Sequence, residues 1–367
     1  MGILQPVWNG TFVYQEPVCF SVDRSGQPIG GTLLYFPEEI LSVTSFDGSA
    51  FYQPEKDYVV MGRKLLRTES SRIPYLERDT YCKPFTGVPE TAWVRLPGGR
   101  EYMEVVSDVY RWQTLVTYTH KSSWNGFRPE SGFGQLSLSA EKLRAGGDFR
   151  LVFYGDSITA GWEASGCNED AIDMVTLKNY HVSLWHAPYQ PAWAELVTNE
   201  LQSRYPQSNI IKTNCAAGGA NMQWGVQHAE ELVNPHMPDL VVLGFGMNSM
   251  QETAGDYRES ILAMIHTVRG TCPGCEFVLV SPMIPNPEIL SFQNNQLPAQ
   301  QAALYEIAAN MRGVCVAPVH SVFQELIARG KHYLELTGNC INHPNDFSVR
   351  IYAQTVLRTL DGDERNG

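Results

Sequence analysis

Four short blocks of this chain carry the residue types that acyl transfer needs. The first, Tyr154-Gly155-Asp156-Ser157-Ile158-Thr159-Ala160-Gly161, follows an apolar run of strand character. A serine at a strand-to-helix turn exposes its hydroxyl at the sheet edge, and its N–H stands at a helix N-terminus, where negative charge is favoured. Asp156 and Ser157 are equally at home as capping residues, so this block does not decide alone. The second, Asn214-Cys215-Ala216-Ala217-Gly218-Gly219-Ala220, has paired glycines that permit a tight turn and let an N–H point at an oxyanion. In the third, Gly244-Phe245-Gly246-Met247-Asn248-Ser249, the Asn248 amide can supply another donor, although asparagine also serves turns through local hydrogen bonds. The fourth, Asn339-Cys340-Ile341-Asn342-His343-Pro344-Asn345-Asp346, holds a histidine on a loop before the last helix. An imidazole of ordinary pKa, about 6.5, suits general-base work. Each signal is weak alone, and their ordered coincidence points to a serine nucleophile served by a histidine.

Residues so far apart in sequence need a scaffold that brings strand ends together. From Phe149 onward, short apolar strands alternate with amphipathic helices. Strands are expected at 150–154, 209–214, 239–244, 277–281 and 314–318, and helices at 192–205, 257–268, 299–311, 322–329 and 347–360. This alternation predicts a parallel sheet covered on both faces, with its ligand site beyond the carboxyl ends of the strands. The first 140 or so residues instead show period-two runs broken by turn residues, as in Gly31–Phe36, Ile40–Phe46, Tyr58–Met61 and Val109–Tyr118. They predict an antiparallel β-sandwich, jelly-roll-like, joined to the α/β part by a short connection at Leu138–Asp148. The expected division is 1–145 for the β-sandwich and 146–367 for the catalytic domain.

With Gly155-Asp156-Ser157, Gly219, Gly246-x-Asn248 and His343-Pro344 in order, the region from Phe149 to Leu360 resembles the SGNH (GDSL-type) hydrolase superfamily. The resemblance implies a flavodoxin-like three-layer α/β/α domain. It further implies Ser157 as nucleophile, His343 as general acid and base, and an oxyanion hole made by the Ser157 N–H, the Gly219 N–H and the Asn248 side chain. The layout is similar to that of two-domain carbohydrate esterases with a jelly-roll domain in front. One position departs from the pattern: the Asp usually found three residues before the histidine is Cys340 here. A thiol cannot orient an imidazole as a carboxylate does. Three arrangements stand open: a Ser–His dyad leaning on a backbone carbonyl, the preferred reading; a carboxylate from elsewhere, such as Glu335 or Asp346; or a weakened enzyme. Asp346, directly before the last helix, reads better as its N-cap.

Composition narrows the substrate. Lys plus Arg number 27 against 39 Asp plus Glu, a formal charge of −12, which disfavours nucleic acid and other polyanions as partners. Charged residues make up 18% and aromatics 11%, so a large core and aromatic surfaces are both available. Trp162, Trp185, Trp224 and, from the first region, Trp124 are candidate substrate-binding residues; flat rings with polar handles suit sugars, although such rings also pack interfaces. The expected substrate is an acetylated oligosaccharide, such as one derived from xylan, with a broader short-chain esterase, lipase or thioesterase and a weakened carbohydrate-binding protein as alternatives. No metal and no cofactor are called for. The eight cysteines read as mostly buried thiols, and Cys272-Pro273-Gly274-Cys275 as a structural turn, because no second ligand pair accompanies it. No leader and no membrane-spanning run is evident, so a cytoplasmic location is expected unless a leader has been removed.

Overall fold

The computed structural model describes residues 3–84, 95–96, 101–103, 109–167 and 186–360. In the N-terminal region, β1 (Phe12–Cys19), β2 (Glu39–Ser45) and β3 (Gln113–Thr119) form an antiparallel sheet with β3 in the middle. Two-stranded ribbons at Ser21–Val22 with Pro28–Ile29, Tyr58–Met61 with Lys64–Arg67, and Cys82–Pro84 with Glu101–Met103 accompany it. Two expectations change here. Val109–Trp112 is a 3-10 turn, and the strand begins only at Gln113. Gly31–Phe36 is not a strand: it makes an isolated bridge, Thr32 with Lys64, in which the Leu33 N–H donates to the Arg63 carbonyl, while side chains take other N–H groups. Gly31 donates to Glu335, Leu34 to Glu16, and Tyr35 to the Tyr118 hydroxyl. Alternation in a sequence cannot distinguish a strand from a segment whose N–H groups are partly taken by buried side chains.

The expected connection before the α/β part is a helix, α1 (Ser137–Ala145). Beyond it, β4 (Gly147–Gly155), β5 (Ser208–Asn214), β6 (Leu240–Gly244), β7 (Glu276–Val280) and β8 (Val314–Ala317) form a fully parallel sheet in the order β5-β4-β6-β7-β8. This is a flavodoxin-like order, and the strand sequence reverses at β4, which opens a crevice at its carboxyl end. Successive side chains of a strand point to opposite faces. Leu151 and Phe153 therefore enter one core, and Val152 and Tyr154 the other.

The first core is covered by α3 (Trp193–Arg204), α7 (Val319–Ala328) and α9 (Asp346–Thr359), and it continues without a break into the N-terminal region through Val13, Val18, Leu65 and Val116. The second is covered by α4 (Met222–Leu232), α5 (Ala254–Thr271) and part of α6 (Leu297–Asn310). Nearly every residue of α9 is buried, polar ones included, because the N-terminal region lies on the face that would otherwise meet water. There Arg350 donates to the carbonyls of Tyr14 and Gln15 and to Gln190, and Gln354 donates to the Gln5 carbonyl. All eight cysteines are free. Among the described residues no helix is long and apolar enough to cross a membrane.

Candidate active site

β4 ends at Gly155, where the chain must pass hard against β6: a Cβ there would stand 2.3 Å from the Gly244 carbonyl oxygen. Asp156 is extended and caps α2 (Ser157–Ala160), its carboxylate accepting from the Ile158 N–H at 3.0 Å. Burial pushes the Asp156 carboxyl up to about 7, against the opposing pull of backbone N–H groups from Ile158, Met247 and Thr159. It joins the nucleophile turn to the Met247-Asn248 turn. Ser157 is the first residue of α2, nine-tenths buried, and its Oγ lies 2.8 Å from His343 Nε2. A hydroxyl and an imidazole at this separation can pass a proton between them.

Two further blocks meet this pair at the carboxyl edge of the sheet. The Asn214 amide donates to the Thr159 carbonyl, and the Ala217 N–H to the Gly155 carbonyl, so the turn after β5 is tied to the turn after β4. Gly219 sits at φ +74, in the left-handed region that favours glycine, with open space where a side chain would be. Asn248 is exposed and donates one amide hydrogen to the Ala220 carbonyl at 3.0 Å, which leaves the other for a ligand. Among the described residues neither the Ser157 N–H nor the Gly219 N–H meets an acceptor. Such an arrangement can hold an oxyanion.

The histidine loop corrects the expected partner for Nδ1. Among the described residues no carbonyl faces it, and both candidate carboxylates are engaged elsewhere. Glu335 accepts from the Cys19, Gly31 and His332 N–H groups and pairs with Lys331, while Asp346 accepts from the N–H and the hydroxyl of Ser165. Asp346 is not the cap of α9 either; Asn345 is, its side chain accepting from the Ser348 N–H. What stands beside His343 Nδ1, at 3.0 Å, is the side-chain amide nitrogen of Asn339. Sequence reasoning missed this residue. The available signal was that asparagine in a Gly-Asn-x turn commonly reaches backbone groups a few residues ahead.

Of the four tryptophans, the structure brings Trp162 to the pair: its ring meets His343 edge-to-face at 5.4 Å and lies against Gly218. Trp224, partly exposed on α4, packs against Tyr154, Phe245 and His228. Trp124 lies under the Arg329 guanidinium at 3.8 Å and donates to the Phe127 carbonyl, a packing role between the N-terminal region and the end of α7. Trp185 lies outside the described residues.

Desolvation holds the His343 imidazole down to about 4. Only the neutral ring can accept a proton, so activity is lost as pH falls through that value and not near 6.5. A kcat/KM profile is expected to stay level from pH 7 to about 5 and to break at about 4; a break at or above 6.5 would show the ring to be solvated.

Residues 153–348, more than half of the chain, match the GDSL-like lipase/acylhydrolase family. The chain belongs to this family. Its five-stranded parallel sheet fits the architecture of this acylhydrolase family. No curated protein sequence matches this GDSL hydrolase. Among solved structures it is similar to a two-domain esterase active on acetylated mannans, co-crystallised with mannopentaose, at 20% identity and a TM-score of 0.47. That match covers 65% of this chain and 55% of the other, so the hydrolase spans little more than half the length of that esterase. It is also similar to an acetyl xylan esterase from Geobacillus stearothermophilus, at 18% identity and a TM-score of 0.46, covering 60% of this chain and 99% of that one. A lipase/acylhydrolase from Enterococcus faecalis matches at 18% identity and a TM-score of 0.41, covering 57% of this chain and 94% of that one.

Proposed function

We propose that this hydrolase removes O-acetyl groups from carbohydrates, with Ser157 as nucleophile, His343 as general acid and base, and the Ser157 N–H, Gly219 N–H and Asn248 amide as oxyanion donors. The 2.8 Å contact between Ser157 Oγ and His343 Nε2, at the carboxyl end of β4, carries this reading. In acylation, His343 Nε2 takes the Ser157 proton as Oγ bonds to the ester carbonyl carbon; collapse of the oxyanion expels the sugar alkoxide, which receives that proton. Water then attacks the acetyl-enzyme with its proton passing to Nε2, and acetate leaves as Ser157 is reprotonated. The substrate class is supported by the groups around the mouth of the site. The Trp162 ring, edge-on to His343, and the exposed Asn248 amide offer an aromatic surface and a hydrogen-bonding edge, which suit hydroxyl-bearing rings better than alkyl chains. In this reading residues 146–367 form the catalytic domain and residues 1–145 buttress it.

Rates on an acetylated xylo-oligosaccharide and on p-nitrophenyl esters from acetyl to octanoyl discriminate the alternatives. Acetyl esters are expected to be turned over fastest, and a preference for longer chains would sink the carbohydrate reading in favour of a broader esterase or lipase. The missing carboxylate favours a second reading, a carbohydrate-binding protein with little activity. A folded protein that a fluorophosphonate does not label at Ser157 would establish that one instead.

A further inference from the structure

The Asn339 side chain is oriented by more than its contact with the imidazole. Its Oδ1 accepts from three backbone N–H groups in succession, Ile341 at 2.9 Å, Asn342 at 3.0 Å and His343 at 3.1 Å. Its Nδ2 faces Asn342 Oδ1 at 3.2 Å and His343 Nδ1 at 3.0 Å. Turning the amide over would set an NH2 group against three N–H donors, and the Nδ2 position would lose both of its acceptors. The amide therefore has one satisfiable orientation, in which Asn339 donates to Nδ1. A neutral imidazole that accepts at Nδ1 carries its proton on Nε2. The hydrogen bond to Ser157 then runs from Nε2–H to Oγ, opposite to the direction nucleophilic attack requires.

We infer that Asn339 is a positioning residue that holds resting His343 in the Nε2–H tautomer, so that the site is restrained until the imidazole exchanges its proton to Nδ1. This inference rests on the assignment of Ser157 and His343 as nucleophile and base. For Nε2 to take the serine proton, the proton already there must leave through solvent and another must bind Nδ1. The Nδ1–H so formed finds an acceptor only if Asn339 rotates and gives up its three backbone bonds. Where an amide replaces the orienting carboxylate of a serine hydrolase, the same wrong tautomer costs about 10⁴ in kcat.

Asn339→Asp is the decisive variant. One carboxylate oxygen keeps the three backbone N–H groups, the other accepts Nδ1–H, and the partly exposed Asn342 amide can turn to present its NH2. On p-nitrophenyl acetate, which makes no demand on sugar contacts, kcat is expected to rise at least about tenfold and up to about 10⁴-fold, with KM little changed. Heteronuclear NMR of the wild-type imidazole nitrogens, with His343 assigned by its loss in His343→Gln, is expected to show Nε2 protonated and Nδ1 bare, and the Asn339→Asp protein the reverse. A wild-type ring protonated at Nδ1, or a folded Asn339→Asp protein no faster than wild type, overturns the inference. The NMR result does not depend on which ester is the substrate, and failure of the carbohydrate reading leaves the p-nitrophenyl acetate comparison intact.

Discussion

Ser157→Ala is expected to lose all fluorophosphonate labelling and to lower kcat on acetyl esters by about 10²–10⁴-fold, with folding unchanged. The size of that loss follows from two magnitudes. In a serine hydrolase with an intact triad, removing the nucleophile costs about 10⁶ in kcat. A site whose orienting group is an amide has already surrendered about 10⁴ of this, so less remains to lose. The same substitution made together with Asn339→Asp should therefore cost more, approaching about 10⁶ relative to Asn339→Asp alone. Among the described residues Ser157 Oγ bonds only to His343, so alanine orphans no described backbone group and thermal unfolding should move little. Measured kcat for the four proteins of this cycle checks the prediction. Equal losses in both backgrounds would mean that Ser157 and His343 do not act as a unit.

Lys331→Met should produce the largest loss of stability. Lys331 is fully buried, with its ammonium 3.1 Å from Glu16, 3.4 Å from Glu335 and 2.6 Å from the Pro17 carbonyl. Glu16 also accepts from the Leu34 N–H and the Tyr118 hydroxyl, so the cluster joins β1, β3 and the segment ahead of α8 (Tyr333–Leu336). Methionine fills the space but leaves two carboxylates facing each other out of water. Breaking such a buried pair costs roughly 3–5 kcal/mol, on the order of 10 °C in Tm for a chain of this size. The Glu335 carboxyl is already raised by burial, and without the ammonium it rises further. Its protonated form is then favoured in the folded state, so the deficit should shrink as pH falls from neutral toward about 5. Thermal denaturation at both pH values, with Glu16→Gln added as a partial rescue, provides the check; a deficit that ignores pH would point to packing instead. Activity should fall as well, because α8 carries the chain into the His343 loop.

The parallel sheet was legible in the sequence from local periodicity, and the candidate blocks around Ser157, Gly219, Asn248 and His343 from their order and their resemblance to a known family. Short apolar runs bounded by glycine, with helical periods between them, have few ways to bury their apolar faces other than a doubly covered sheet. In such a sheet, residues after consecutive strands must gather at one edge. What occupies Nδ1 was not legible. Cys340 showed only that the usual carboxylate is missing, and the position one residue earlier became decisive once the loop closed on itself and three N–H groups fixed the Asn339 amide. The support of that loop was equally hidden. Gln113, at the start of β3, donates to the Leu334 and Thr337 carbonyls and accepts from Asn345, across more than 220 residues of sequence. A hydrogen bond needs its partners within about 3 Å and well aligned. Spacing along the chain carries no information about that for segments this far apart. Residue types and their order set which chemistry the chain can attempt; the closed loop around Asn339 sets which nitrogen of His343 holds the proton.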